Sequence, residues 1–483
     1  MKKIALFITI LFFVLIFPIF SGCNENQSNQ KYQLDCTLEG NILTGKEDFT
    51  FINKTENAFS FLKFNLYPNA FRKDAKYSAI DDSYKHSAYY KGESFGDISI
   101  KSVTENGKHI DFSITGEDKN ILEVQLEEKL FPDEKVSLQI DFVVTLANVI
   151  SRTGITQNEI NLANFYPILC GIENGKFFEC VYYSFGDPFF SECADYNVKL
   201  KVDSSYVVAS SGKLLDKKTE NNKTSYTFSQ SKCRSFAFCL SKSFNVWVEK
   251  INDVEISFYY QNDEFLEEKK SAIIDAIKTF NNLFGSFPLS SYSVVETDFI
   301  QGGMEFSGLV FVSKQLEKEA FLEVIVHETA HQWWQTGVGN NEIASAYLDE
   351  GLCEYSVILF YEKNPQYGYT RREIIEDVNK RYRLFASIQN EIFGKIDTSM
   401  QRSINEYKSE YEYVSISYIK SCIMFDTLRE SIGEKDFVLA LKKYYEKYKY
   451  KVATIDDLIG VFESFIKDAN GFFQGFLTGK VIL

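Results

Sequence analysis

The sequence predicts an all-β sandwich followed by a mainly helical α+β domain. Three features carry that expectation. The chain has 483 residues, 45% hydrophobic and 16% aromatic, with only 7 Pro and 26 Gly, enough apolar matter for more than one core and far from the composition of disorder or low-complexity repeats. From about Cys36 to Trp247 apolar residues recur with period two. Beyond residue 250 the spacing becomes helical.

Residues 1–22 stand apart from the fold as an export leader. Met1, Lys2 and Lys3 make a positive start, Ile4 to Phe20 is apolar apart from Thr9 and Pro18, and Ser21-Gly22 precede Cys23. This arrangement resembles a bacterial lipoprotein signal, with Cys23 as the lipidated residue after cleavage and residues 23–35 as a polar tether. An uncleaved membrane anchor is the competing expectation, since about 20 apolar residues span a bilayer. Both put the body of the protein outside the cytoplasm. Without Lys2 and Lys3 the remainder is more acidic than the whole chain, whose net charge is −15. A flat seat on anionic lipid is therefore not expected, and the absence of a basic stripe argues against a nucleic-acid partner.

Residues 36–250 are assigned to the sandwich. Val136, Leu138, Ile140 and Phe142 alternate with polar residues, as do Tyr196, Val198, Leu200 and Val202, the mark of half-buried antiparallel strands. Asn106-Gly107, Asn174-Gly175 and Ser211-Gly212 supply turns between runs. Eight cysteines follow Cys23, irregularly spaced and without a C-x-x-C pair. Buried thiols are expected, with Cys233–Cys239 or Cys170–Cys180 as the pairs to consider if disulfides form.

Residues 251–483 are assigned to the second domain. A strand is expected over Val254 to Tyr260, a helix over Glu264 to Leu283 stopped at Gly285, and a strand over Tyr292 to Glu296. Helices dominate from Lys318 onward.

The strongest chemical signal is His327-Glu328-Thr329-Ala330-His331. Two His at i and i+4 face the same way from one helix and suit a single zinc ion, with Glu328 positioned as a base. The only other His residues, His86 and His109, sit in polar surroundings of the β-domain, and Gly337 occupies the position where a third His would complete a metzincin motif. A carboxylate is expected as third ligand. Glu350, separated from His331 by 18 residues, opens an apolar helical run that could return beside the His pair; Cys353, one turn on, is the rival.

These residues, together with their surroundings, resemble the M1 family of zinc aminopeptidases, gluzincins with a HExxH, an 18-residue gap and a Glu. Gly302-Gly303-Met304-Glu305-Phe306 is similar to the family's Gly-x-Met-Glu-Asn exopeptidase motif, and Tyr418-Ile419-Lys420-Ser421 to its Tyr-x-Lys-Gly segment. Asp187-Pro188 resembles an Asp-x-Pro region of the β-domain. The resemblance implies a thermolysin-like catalytic domain with one Zn2+ per chain on His327, His331 and Glu350. It further implies Glu328 as general base and Tyr418 as donor to the oxyanion. Gly302, Gly303, Met304 and Glu305 would form the substrate edge, with Glu305 receiving the α-ammonium of a peptide with a free N-terminus. Phe306 stands where the family has Asn, Val357 where many members carry a further acid, and Ser421 where they have Gly. Glu354 is a candidate to orient a ligand His in place of that acid. The segment Phe472-Phe473-Gln474-Gly475-Phe476 resembles the end of the family's catalytic domain, so a cleft without a long C-terminal helical cover is expected.

The function expected from the sequence is a membrane-anchored, extracytoplasmic zinc aminopeptidase acting on oligopeptides. A thermolysin-like endopeptidase and a catalytically silent surface peptide-binding protein of the same fold are the alternatives.

Overall fold

The computed structural model describes residues 28–480, except 263 and 395. The export leader and Cys23 lie outside the described residues. Within them, no helix is long and apolar enough to cross a membrane.

The first part is a β-sandwich, as the alternation requires. Its main sheet has eight strands in the spatial order Lys213–Glu220, Lys223–Cys233, Ala194–Asp203, Gln30–Glu39, Ile42–Ile52, Lys135–Thr145, Asp97–Glu105 and Lys108–His109. All neighbours are antiparallel except Gln30–Glu39 against Ala194–Asp203. Val136, Leu138, Ile140 and Phe142 point inward and are buried, as are Tyr196, Val198, Leu200 and Val202. One position breaks the apolar rule: Glu47, opposite Leu34 and Ile140, is wholly buried, and neither carboxyl oxygen has a donor among the described residues. Two four-stranded sheets complete this part, one running Ile168–Leu169, Phe59–Asn65, Ile121–Leu130, Phe112–Thr115 and the other Val207–Ser210, Phe238–Ser241, Glu159–Leu162, Thr153–Ile155. All eight cysteines after Cys23 are free thiols, seven of them buried and Cys180 partly so.

The second part begins with a five-stranded sheet in the order Asn245–Ile251, Val254–Tyr260, Ser291–Thr297, Leu309–Ser313, Gly303–Met304. Asn245–Ile251 hydrogen-bonds along its length to Val254–Tyr260 and so belongs to this sheet, not to the sandwich. Helix Leu266–Phe284 buries Ile273, Ile277 and Phe280 and ends at Gly285. The short strand Gly303–Met304 forms the sheet's edge, antiparallel to Leu309–Ser313. Helices then run to the end, chief among them Lys318–His331, Asp349–Lys363, Arg371–Phe393 and Ser421–Ile432.

Side chains from the sandwich hold the two parts together. Arg234, buried, donates from Nε to the carbonyl of Gln335 at 2.6 Å and from Nη2 to that of Lys451 at 2.7 Å, while Nη1 holds Ser191 of its own domain at 3.1 Å.

Candidate metal centre and cleft

Helix Lys318–His331 carries both imidazoles on one face, one turn apart in its last two turns. Helix Asp349–Lys363 packs against it and brings Glu350 from its first turn. The Nε2 atoms of His327 and His331 lie 3.1 Å apart, and Glu350 Oε2 is 3.3 Å from each. One ligand atom from each of the three falls within 4.8 Å of the others. Cys353, the rival, is a buried thiol outside this group.

Two imidazoles and a carboxylate are the donor set of a zinc site, and the Oε2 of Glu350 makes no hydrogen bond although it is buried. These residues fit zinc. Glu354, one helical turn beyond Glu350, reaches His327 Nδ1 at 3.1 Å and fixes which ring nitrogen faces the centre. Burial works against a charge on His327, but the facing carboxylates of Glu350 and Glu354 outweigh it and hold the imidazole well above its ordinary range. Burial dominates at His331, which is pulled down. Glu350, despite its burial, is kept at about 2 by the two imidazoles.

Glu328 faces the same cleft. Burial raises it to about 8, with Glu350 and Asp187 adding to the push and His327 opposing it. Edge strand Gly303–Met304 passes close above the helix: a Cβ at Gly303 would collide with Glu328 Oε1 and Val324, so only glycine lets the strand approach this far. Glu305 follows at the His331 end, buried, with Oε1 lacking a donor. Burial and the neighbouring Asp187 and Glu328 carboxyls push it well above the usual carboxylate range. Phe306, in place of a polar residue, packs edge-on against Phe311 at 5.1 Å.

Tyr418 comes from a π-helical turn, Ser415–Lys420, and donates its hydroxyl to Glu350 Oε1. The HExxH helix likewise runs straight into a π-helical turn, Gln332–Gly337. Such wide turns interrupt the regular ladder and re-aim side chains at sites. Lys420 points the other way, buried, and its ammonium donates to the carbonyls of Thr398 and Phe476.

The cleft, about 250 Å³, also receives residues that sequence patterning does not single out. Arg152 is buried beside Asp187, 2.8 Å from its Oδ1, and reaches the carbonyl of Gly186 at 2.9 Å and Met304 Sδ at 2.9 Å. It thus joins Asp187, which the sequence did flag, to the substrate edge. Tyr413, Glu323 and Glu410 line the remaining walls, and Glu410 accepts from Tyr84 of the β-domain at 3.0 Å. Arg152 sits in a loop without periodicity, and its isolated charge gave no sign of a cleft position.

Comparison with known proteins agrees with this geometry. Residues 268–475 match the peptidase family M1 domain. Endoplasmic reticulum aminopeptidase 2 of Bos taurus is 22% identical over 364 residues, covering 68% of this chain and 36% of that protein. Aminopeptidase N of Haemonchus contortus is 24% identical over 214 residues, covering 41% of this chain and 21% of that protein. The chain thus spans about a fifth to a third of the curated relatives it matches. Among solved structures, an M1 zinc metallopeptidase of Deinococcus radiodurans shares the fold at TM-score 0.68 and 15% identity, covering 95% of this chain and 96% of its own. A mutant of that enzyme, solved with a Tyr-Ser-Ala substrate, superposes at TM-score 0.65 and 16% identity over 94% of this chain and 96% of its own.

Proposed function

Because residues 268–475 match the peptidase family M1 domain, we propose that the chain is a zinc aminopeptidase that removes N-terminal residues from short peptides. The observation that carries the proposal is the convergence in one cleft of His327, His331 and Glu350 with Glu328, Tyr418 and Glu305. His327, His331 and Glu350 would hold one zinc ion. Bound there, the ion supplies Lewis acidity, which makes water a nucleophile near neutral pH and polarises a carbonyl.

The chain's own groups do the rest. Glu328, facing the cleft beside the donor set, is placed to accept a proton from water and return it to the leaving amine. Tyr418 keeps its proton, since burial pushes the phenol well above its ordinary value, and it serves as donor to the developing oxyanion. Glu305 receives the α-ammonium at the closed end of the cleft. Gly302 and Gly303 leave a backbone edge along which an extended peptide pairs, running from Glu305 toward Val324. A short peptide matches these features, and the D. radiodurans neighbour was solved with the tripeptide Tyr-Ser-Ala.

The leader and Cys23 support an extracytoplasmic protein held to the membrane by acyl chains. The test of the activity is a panel of free and Nα-acetylated fluorogenic peptides with the purified protein. Release of single N-terminal residues from free peptides, with acetylated ones spared, is expected. Equal cleavage of both, or internal cuts, would transfer the assignment to an endopeptidase.

A further inference from the structure

Phe306 turns its ring into an aromatic cluster and offers Glu305 no polar partner, so something else must hold that carboxyl. Glu305 also lines a second, small cavity of about 20 Å³, where Asn164, Ser191 and Ser235 of the sandwich meet Gln335 and Glu342 of the helical part. Glu342 forms its far wall. It is as buried as Glu305; its Oε1 accepts from Gln335 Nε2 at 3.0 Å, and its Oε2 finds no donor among the described residues. Each of the two acids lining this cavity therefore has one orphaned carboxyl oxygen. Neither nearby guanidinium relieves them, because Arg152 is engaged by Asp187 and the Gly186 carbonyl, and Arg234 by three main-chain carbonyls.

A buried water needs roughly 10–15 Å³ and two to four polar partners. The cavity has the volume, and its lining supplies polar partners: the carboxyls of Glu305 and Glu342, each with one oxygen lacking a donor among the described residues, and the side chains of Ser191, Ser235 and Asn164. We infer that one water occupies this cavity and bridges Glu305 to Glu342, which makes Glu342 a positioning residue that holds Glu305 toward the substrate's ammonium group. The water donates one hydrogen to each acid. Both acids belong to the second domain, but Asn164, Ser191 and Ser235 of the sandwich close the cavity around the bridge, so the seat for the substrate N-terminus depends on how the two domains dock.

The inference rests on Glu305 as the ammonium seat, and its test separates the two. Trialanine and Nα-acetyl-trialanine are titrated calorimetrically into the full-length protein carrying Glu328→Gln, which removes the proton-transferring group. Parent protein that binds both peptides equally would overturn the ammonium seat itself and, with it, the positioning role. Given discrimination, Glu342→Leu, which fills the cavity and removes the acceptor, should weaken trialanine about tenfold and leave the acetylated peptide within about twofold. Glu342→Gln, which can still hydrogen-bond water, should stay within about threefold of the parent. In a Glu305→Ala background Glu342→Leu should have no further effect, since residues acting through one another are not additive. Equal weakening of both peptides, or an undiminished effect without Glu305, would overturn the proposal. Should Glu342→Leu not fold, a high-resolution crystal structure of the unaltered protein decides: a water within hydrogen-bond reach of both acids is expected, and a dry cavity or a direct Glu305–Glu342 contact would overturn it.

Discussion

At the scale of single residues, the chemistry turns on buried groups whose protons are displaced from their ordinary ranges. Glu328 and Tyr418 are the two that would move or donate a proton. Glu328→Gln should keep zinc and lose kcat by at least about 10²-fold. Tyr418→Phe should lose about 10²- to 10³-fold in kcat with KM little changed, because its contribution arises as the oxyanion forms. Steady-state kinetics with metal analysis on the same samples checks both, and normal turnover in Tyr418→Phe would move the role to the neighbouring Tyr413. Glu47 shows the same physics without catalysis. Burial holds it well above the usual carboxylate range, with Asp48 adding to the effect. The folded chain thus retains a proton that the unfolded chain releases. Its stabilising contribution is complete below the ordinary carboxylate pKa of about 4.3 and is lost as pH rises through the folded-state value. Unfolding free energy should therefore decline on the alkaline side in the unaltered protein, and Glu47→Leu should flatten that decline and add about 1–4 kcal/mol at neutral pH and above. Urea titrations across the pH range measure it; an unchanged slope would count against a retained proton.

At the scale of elements, two helices make the centre and two wide turns finish it. Helix Asp349–Lys363 delivers Glu350 to the donor set and, one turn later, Glu354 to the back of His327. Glu354→Ala should weaken zinc binding about 10- to 100-fold while leaving the helix intact, read by competition with a chelator. The helix-borne part of the site was legible because spacing on a helix is geometry: His327, His331 and the return of Glu350 follow from period and gap. The alternation of the sandwich strands was legible for the same reason. Tyr418 was reached only through its segment's family likeness, since a π-helical turn has no sequence period of its own. Arg152 and Glu342 were not legible. They enter through long-range docking, from a loop and from a four-residue helix, and nothing local marks them. The start of the second sheet was also blurred, since Asn245–Ile251 reads as one more strand of the sandwich until its pairing is known.

At the scale of the whole molecule, the β-sandwich supplies parts of the cleft as well as supporting it: Arg152, Asp187 and the Tyr84–Glu410 contact bring it to the cleft, and Arg234 fastens the join. Arg234→Met would leave three carbonyls without their donor. At about 1–3 kcal/mol for each buried unsatisfied group, the loss should be at least about 3 kcal/mol, seen as a lower urea midpoint or as separate unfolding of the two parts. The proposed membrane placement rests on the sequence ahead of the described residues. Cys23→Ala should release the protein from membranes or leave the precursor unprocessed, since two acyl chains suffice for stable attachment where one does not. Fractionation followed by mass spectrometry distinguishes these from a cleaved, still membrane-bound product, which would assign anchoring elsewhere.

Lys420 lies two residues after Tyr418, and its ammonium grips the carbonyls of Thr398 and Phe476. Helix Ala469–Leu477 is thereby leashed to the turn that aims the phenol, with Met400 and Ser399 adding hydrogen bonds to Leu477. A strain applied at that last helix, by a fused tag, a docked protein or proteolytic nicking, is transmitted within a few bonds to Tyr418, the proposed oxyanion donor. Helix Ala469–Leu477 is thus mechanically an outer handle of Tyr418.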